Sequence, residues 1–389
     1  MKWTNPRTIT GPPAEDELYL RRDYINDDFW DFIGNGSHIL FTAPRRVGKS
    51  SIMRDLEKNH PEKFLVIFEN VESNKTQQSF FKQLFGLLIE HLGKRKLWKQ
   101  FGTWLKTKGI GEVSVDGTAK ITNKELDYKE ELLLLIGELG DQEFTVVMLL
   151  DEFPDVVKSI HTNEGAAMAV DTLHTLRAIR QTKEFDKFKF VFAGSVGLRH
   201  VVSSIDREKL INDLEPLHVT QLTSEEALIL IVQLTKDATM IVSEEVAKNI
   251  ISKIKYLLPY FIQLMIEKCN RLVRQEKRPE LTNEDVEKAF WEVVKDGRNF
   301  EDWVDRFNEY FTTADAQFAI GLLTEIAHNE GYSIQQAYNY AQSVVPEMTF
   351  MKLIDSVLIN DGYIVQEGNQ LYFLSPFLRE WWKRRYPKF

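Results

Sequence analysis

Residues 38–54 read HILFTAPRRVGKSSIMR, and this stretch decides the fold of the chain. Its first residues, 39–42, form a short apolar run that predicts a buried strand, and the residues after Ser50 have the spacing of a helix. Between them lies a basic loop that ends in Gly48-Lys49-Ser50, the second half of the pattern G-x-x-x-x-G-K-[ST]. A strand, this loop and a helix in that order predict a phosphate-binding P-loop.

The residue types of the loop suit a nucleotide for separate physical reasons. Backbone N–H groups at the start of a helix converge on an anion, and Gly48 allows the backbone to approach the phosphates closely. Lys49 supplies positive charge for the β and γ phosphates, and the Ser50 hydroxyl is a ligand for Mg²⁺. Ala43 stands where the pattern has its first glycine, and we expect it to keep a negative φ. The predicted nucleotide contacts are Ala43, Pro44, Arg45, Arg46, Val47, Gly48, Lys49, Ser50 and Ser51.

A second stretch, TVVMLLDEF at residues 145–153, predicts a buried parallel strand with two carboxylates at its C-terminal end. In this Walker B pattern Asp151 binds Mg²⁺ together with Ser50, and Glu152 polarises the attacking water. An Asp-Glu pair is often only a polar strand end, but the P-loop about a hundred residues earlier favours the catalytic interpretation. Residues 188–193 predict a further strand. The Ser195 that follows is either a sensor of the γ phosphate or a turn serine.

The rest of the pattern predicts three domains. Over 1–220, strands that alternate with helices predict a three-layer α/β P-loop NTPase domain with a parallel sheet of the ASCE type. Its lysine-rich insertion, 93–125, contains a hairpin around Asp116-Gly117. Residues 221–300 predict an all-α lid, with acids and the capping side chains Ser224, Ser243 and Thr282 in the first helical turns. Residues 301–389 predict three helices and a hairpin, which together make a winged helix, and 296–313 are expected to be the linker into it.

Composition limits the class of protein. The chain has 389 residues with a formal net charge of −9, which argues against a broad surface that coats nucleic acid. Its single cysteine, Cys269, rules out an internal disulfide and fits a reducing, cytoplasmic compartment. The apolar runs are too short to cross a bilayer, so we expect no membrane association.

The sequence resembles the prokaryotic STAND/AAA+ P-loop ATPases, especially the archaeal-type AAA ATPase group, with an NB-ARC-like and origin-initiator-like organisation that ends in a winged helix. The resemblance covers nearly the whole chain. It is carried by YLRRD at 19–23, TAPRRVGKSS at 42–51, LLDEF at 149–153, FVFAGSVGL at 190–198, LLPYFIQLM at 257–265 and DGYIVQEGNQLYFLSPFLREWW at 361–382.

This resemblance implies that the chain binds ATP and ADP with Mg²⁺ and uses hydrolysis as a switch. The partner implied is an unidentified separate protein or a second copy of the chain. The family's N-terminal pattern is hydrophobic-Gly-Arg-Glu, so only Arg22 is carried over as a nucleotide contact, because Arg21 replaces the glycine and Asp23 the glutamate. Pro259 is expected to face the adenine.

Two other functions stay open. One is a DNA-associated ATPase, comparable to origin initiators or transposition helpers; the other is a nucleotide-bound scaffold with negligible turnover. DNA is possible but not favoured, because the predicted third helix, 346–360, offers Lys352 as its only cation and the hairpin carries Glu367 with no cation. Such ATPases usually borrow an arginine from a neighbouring subunit. Arg177, Arg180 and Arg199 are the candidates, and the sequence does not choose among them.

Overall fold

The structure is a computed structural model that describes residues 2–94, 110–113, 119–121, 126–194, 198–203, 205, 207–329, 331–344, 350 and 353–388. The chain divides into two compact units. The sheet unit comprises Arg22–Thr42 and Met53–His218, and the helical unit comprises Met1–Arg21, Ala43–Ile52 and Val219–Phe389. The loop of residues 43–48 therefore belongs, with the first turn of the helix after it, to the helical unit.

The sheet unit alternates strands with helices, as its sequence pattern predicts. Its elements in chain order are α1 (Asp23–Gly34), β1 (Ile39–Thr42), the later part of α2 (Lys49–Lys58), β2 (Phe64–Asn70), α3 (Gln77–Lys94), β3 (Ile110–Val113), β4 (Ala119–Ile121), α4 (Tyr128–Gly137), β5 (Thr145–Asp151), α5 (Phe153–Glu164), α6 (Ala166–Gln181), β6 (Phe188–Ala193), α7 (Leu198–Ser203) and β7 (Glu215–His218). Short β3 and β4 pair with each other in the predicted insertion.

Five of these strands form a parallel sheet in the order β2-β5-β6-β1-β7. Every residue of β6 and all but the first of β5 are buried. Since successive side chains of a strand point to opposite faces, burial of consecutive residues means that both faces of the sheet are covered. This is the three-layer α/β arrangement that the sequence predicts. The edge strand β7 was not predicted.

The helical unit contains four helices over the predicted lid, α8 (Ser224–Thr235), α9 (Glu244–Ile254), α10 (Pro259–Gln275) and α11 (Asn283–Lys295). The Thr223 and Thr282 side chains cap α8 and α11 in reciprocal capping boxes, and the Ser243 hydroxyl caps α9. The predicted cap Ser224 instead lies at the first helical position. Along α10, Gln263 and Asn270 accept hydrogen bonds from the N-terminal segment, from the Ile9 backbone and the Trp3 ring.

The C-terminal part of the helical unit combines helices with a three-stranded antiparallel sheet. The helices are α12 (Glu301–Tyr310), α13 (Thr313–His328), α14 (Ile334–Ala341) and α15 (Pro376–Arg385), and the strands β8 (Tyr332–Ser333), β9 (Ile364–Glu367) and β10 (Gln370–Phe373) have the order β8-β10-β9. The predicted hairpin around Gly368 is present as β9 and β10. Of the predicted third helix, 346–360, the structure describes only Phe350 and 353–360, which include a π-helical turn at Ile354–Ile359.

The prediction of a linker at 296–313 was wrong, because that segment contains α12. Trp303, Val304 and Phe307 of α12 are buried, and the Tyr363 hydroxyl donates to the Trp303 carbonyl at 2.7 Å. Apolar burial at helical spacing thus holds this segment as part of the unit. Within the described part of the chain, no helix is long and apolar enough to cross a membrane.

Candidate functional site

The loop between β1 and α2 takes two left-handed backbone conformations, at Arg46 (φ 65°) and at Gly48 (φ 95°). Ala43 keeps a negative φ, as expected from the sequence. A Cβ atom placed on Gly48 would meet no atom within 4 Å, so the space beside this backbone is open. Glycine is required here by conformation, and the open side leaves room for an anion to approach the main chain.

Lys49 and Ser50 form the first turn of α2 and are partly exposed. The helix begins at Lys49, with the Ile52 N–H donating to the Gly48 carbonyl at 3.0 Å. The N–H groups at this terminus provide the partial positive charge that an anion binds. A hydroxyl beside such a terminus has the oxygen chemistry that Mg²⁺ prefers. These residues therefore fit a nucleotide phosphate and its metal ion.

Ser51, predicted as a nucleotide contact, is buried and its side chain is hydrogen-bonded to the N-terminal segment. Its Oγ accepts a hydrogen bond from the Ala14 N–H at 2.8 Å. This bond ties the first turn of α2 to a chain segment that the sequence motif does not include.

Two of the predicted nucleotide contacts, Arg45 and Arg46, bind Asp302 at the start of α12. Nη2 of Arg46 donates to Oδ2 of Asp302 at 2.9 Å. Nη1 of Arg45 donates to the Asp302 carbonyl at 2.9 Å, and its Nη2 lies 3.5 Å from the same Oδ2. Sequence reasoning missed Asp302, because nothing in its local context distinguishes it from other acids in a first helical turn.

Arg46 also contacts the start of α10. Its guanidinium carbon lies 4.5 Å from the ring centroid of Tyr260, which is a cation–π distance. Tyr260 follows Pro259, the first residue of α10 and the predicted adenine contact. Pro259 therefore directly precedes a residue whose ring packs on Arg46, in the loop between β1 and α2.

A buried ion pair lies next to these arginines. Nη2 of Arg306, on α12, is 3.2 Å from Oδ2 of Asp361, and both side chains are almost fully buried. Burial lowers the pKa of the Arg45 guanidinium, and the positive charge of Arg306 lowers it further. Burial raises the pKa of the Asp361 carboxyl despite the neighbouring arginines Arg306 and Arg45. Three arginines and two aspartates therefore share this region of the helical unit.

In the sheet unit, β5 ends at the predicted metal ligand Asp151, which is 2% exposed. The Glu152 N–H donates to Oδ1 of Asp151 at 3.0 Å. Glu152 itself has a left-handed backbone (φ 57°, ψ 34°) and precedes α5. A non-glycine residue in this conformation costs free energy, and such strain concentrates at functional sites.

The sheet order places one strand, β6, between β1 and β5. Because all five strands are parallel, their C-terminal ends lie at one edge, where ligands bind in open α/β sheets. Thr42 and His218 end neighbouring strands at this edge, with Thr42 Oγ1 2.6 Å from His218 Nδ1. His218 was not predicted, since the short run Glu215–His218 lacks a strand pattern. The predicted sensor Ser195 lies outside the described residues.

The predicted arginines have different surroundings within the sheet unit. Arg22 is buried, 4% exposed, immediately before α1. Arg180 donates from Nε and Nη2 to the carboxylate of Asp213 at 2.8 and 2.9 Å, and its side chain is 1% exposed. Arg177 is partly exposed and donates to Asn212 Oδ1 at 3.1 Å. Arg180 is therefore an internal structural residue, whereas Arg177 remains accessible; the Arg199 side chain is not described.

Comparison with known proteins finds similar structures but no similar family. No family model matches the chain, and no curated protein matches it. A Walker-type ATPase of Pyrococcus abyssi superposes with a TM-score of 0.64 at 14% identity, over 96% of this chain and 98% of that one. The ORC2 protein of Aeropyrum pernix, solved as ADPNP–ADP complexes, superposes with a TM-score of 0.53 at 12% identity, over 98% of this chain and 95% of that one. The chain therefore shares the α/β fold of these two structures.

Proposed function

We propose that this chain binds ATP and, with Mg²⁺, hydrolyses it slowly as a molecular switch of the STAND/AAA+ type. The observation that carries the proposal is the loop at Gly48. Its open, left-handed glycine leads directly into the N-terminus of α2, where Lys49 and Ser50 stand. This combination of backbone donors, a helix terminus and one lysine suits a triphosphate better than any other common ligand.

Each residue has a separate role in the proposed reaction. Lys49 neutralises the β and γ phosphates, and Ser50 and Asp151 are the metal ligands. When bound, Mg²⁺ neutralises charge on the phosphate oxygens. Glu152 orients the attacking water and accepts its proton, in the role of a general base. Arg22 and Pro259 are proposed as further nucleotide contacts, and Ser195 as a sensor of the γ phosphate.

In this proposal the nucleotide state is passed on to an unidentified protein partner or controls self-association of the chain. Support comes from the contacts of the loop, since Arg45 and Arg46 bind α12 and Arg46 packs on α10. A change in the loop on nucleotide binding would therefore alter its contacts with both helices. We assign the helices and sheet of 301–389 to a winged-helix domain that reports the nucleotide state, and 221–300 to the lid.

Titration calorimetry with ADP and with ADPNP, a non-hydrolysable ATP analogue, tests the assignment. Lys49→Ala should abolish binding at micromolar nucleotide and leave the fold intact, because the lysine is the main side-chain charge for the phosphates. Lys58→Ala is the matched control, since Lys58 is exposed and lies at the other end of α2. Unchanged affinity in Lys49→Ala would refute the proposed nucleotide site.

A DNA-associated ATPase is the second candidate, favoured by the shared fold with the ORC2 protein. The composition of the hairpin β9–β10 argues against DNA binding, because the hairpin carries Glu367 and neither lysine nor arginine. Phosphate contacts would give binding that weakens steeply with salt. Fluorescence anisotropy with duplex DNA at 50 and 200 mM salt separates the candidates. Tight, salt-sensitive binding to one sequence would favour the DNA-associated function.

A further inference from the structure

We infer that Arg45 and Arg46 form an anion site in which Asp302 acts as an internal ligand that nucleotide phosphate must displace. The inference rests on the proposed function and adds a regulatory contact to it. Asp302 Oδ2 is 2.9 Å from Arg46 Nη2 and 3.5 Å from Arg45 Nη2. One carboxylate oxygen thus serves two guanidinium groups, both of which belong to the loop that holds the phosphates.

The local charges leave this anion site one negative charge short. Arg306 and Asp361 form a buried ion pair with each other. Asp302 then supplies a single negative charge to Arg45 and Arg46. Arg45 is also partly buried, and Arg306 and Arg46 both repel it. A group with more negative charge than one carboxylate would therefore be bound more strongly by the two arginines.

The ion pair of Asp302 with Arg45 and Arg46 is weak enough for a phosphate group to displace it. The neighbouring side chains Phe300, Trp303 and Phe307 are buried, so α12 is anchored by its apolar face. The Asp302 side chain is 43% exposed, and ion pairs at that exposure contribute little free energy because water screens them. A nucleotide polyphosphate carries several negative charges and competes for the same donors.

Displacement would pass the nucleotide state to α12. The Asp302 carbonyl accepts from Arg45, and the carbonyl of the next residue, Trp303, accepts from the Tyr363 hydroxyl. The loop, α12 and the start of β9 are thus connected by consecutive hydrogen bonds. When phosphate binds Arg45 and Arg46, α12 loses its ion pair with the loop and is held only by its buried apolar side chains.

Asp302→Asn tests the inference directly, with Asp305→Asn as its matched control. Asp305 lies one turn along α12, is exposed, and gives the same change of charge. We expect Asp302→Asn to bind ADP and ADPNP about three- to ten-fold more tightly than wild type in calorimetric titration, and Asp305→Asn to match wild type. Equal affinities in all three proteins would overturn the inference. If wild type itself binds no nucleotide, the proposed function fails instead.

A double-mutant cycle separates displacement from simple repulsion of phosphate by Asp302. In an Arg46→Met background the carboxylate has lost its closest partner, so Asp302→Asn should add less than two-fold to affinity. The full gain in that background would mean that Asp302 is not bound in place of phosphate. Limited proteolysis at 296–313 gives an independent readout. Cleavage there should rise with ADPNP in wild type and be high without nucleotide in Asp302→Asn, whereas identical patterns would contradict the inference.

Discussion

The Glu152 main-chain N–H donates to Oδ1 of Asp151 at 3.0 Å, and Glu152 makes this contact from a left-handed backbone. One carboxylate is thereby fixed by its neighbour's backbone at the end of β5. The neighbour's own side chain is oriented by a conformation that L-residues avoid. Such strain is expected if the two adjacent side chains must point in different directions, one to bind a metal ion and the other to orient a water, as we propose.

Glu152→Gln should retain nucleotide binding and lose at least ten-fold in hydrolysis. A general base typically contributes about 10²–10⁴-fold, and the amide cannot accept the proton. Steady-state phosphate release, with Asp151→Asn measured against Mg²⁺ concentration for comparison, provides the check. Asp151→Asn should need more Mg²⁺ for half-maximal rate. Wild-type turnover in Glu152→Gln would assign the base elsewhere, and no turnover in wild type would favour the nucleotide-bound scaffold.

Glu152→Gly should be inactive yet more stable than wild type by about 1 kcal/mol, because glycine takes the left-handed conformation without the steric cost of a Cβ. Glu152→Gln keeps that cost and is the control for loss of charge. Urea unfolding of the three proteins measures the difference. A glycine variant no more stable than the glutamine variant would show that the backbone at this position is not strained.

Arg180→Ala should destabilise the sheet unit by about 3 kcal/mol, because it leaves the Asp213 carboxylate partly buried without its bidentate partner. Arg177→Ala, one turn earlier on α6, should cost less than about 1 kcal/mol, since its bond to Asn212 is exposed. Thermal unfolding of both variants makes the comparison. Similar losses in the two would contradict the distinction between the internal and the accessible arginine.

His38 should make stability depend on pH below its ordinary pKa. Its Nδ1 accepts from the Phe190 N–H at 2.9 Å, so the neutral ring is bound. Burial lowers the pKa of His38 to about 3, helped by Lys189 and Arg180 and opposed by Asp213. Between pH 6.5 and 3 the His38 ring is therefore protonated in the unfolded chain but neutral in the folded chain. The free energy of unfolding consequently falls as pH falls through this range.

The loss from His38 alone should reach about 2 kcal/mol between pH 7 and pH 5. His38→Asn is the control, because its amide oxygen can accept the same N–H but does not titrate. Urea unfolding of both proteins at the two pH values isolates the contribution. If the two proteins lose stability in parallel, His38 is not the titrating group.

Hydrolysis should be slow in the isolated chain and rise with protein concentration. An arginine from a neighbouring subunit can accelerate phosphoryl transfer by about 10³–10⁵-fold. Arg177 is suited to such a role, since it lines an open groove of about 910 Å³ together with Arg207 and Lys209. Specific activity across a dilution series, with light scattering in ATP, is the measurement. A constant specific activity without oligomers would count against a shared site.

The sequence alone determined the elements whose local pattern is strong. The loop before α2, the buried strand β5 with its two carboxylates and the helices α9 and α11, capped by Ser243 and Thr282, were predicted. Each depends on side chains close in sequence: an apolar period, a capping hydroxyl or a glycine that must take a positive φ. Such features need no distant partner, so single-sequence reasoning reaches them.

Only the tertiary structure decided the pairings between distant residues. Glu215–His218 becomes a strand because β1 offers it a parallel partner, and Asp302 is distinguished from other acids only by the two arginines that it meets about 250 residues earlier in the chain. Arg180 likewise changes from a candidate catalytic arginine to an internal one through its contact with Asp213. Ion pairs and strand pairing depend on which residues the fold brings together, and no local periodicity records that choice.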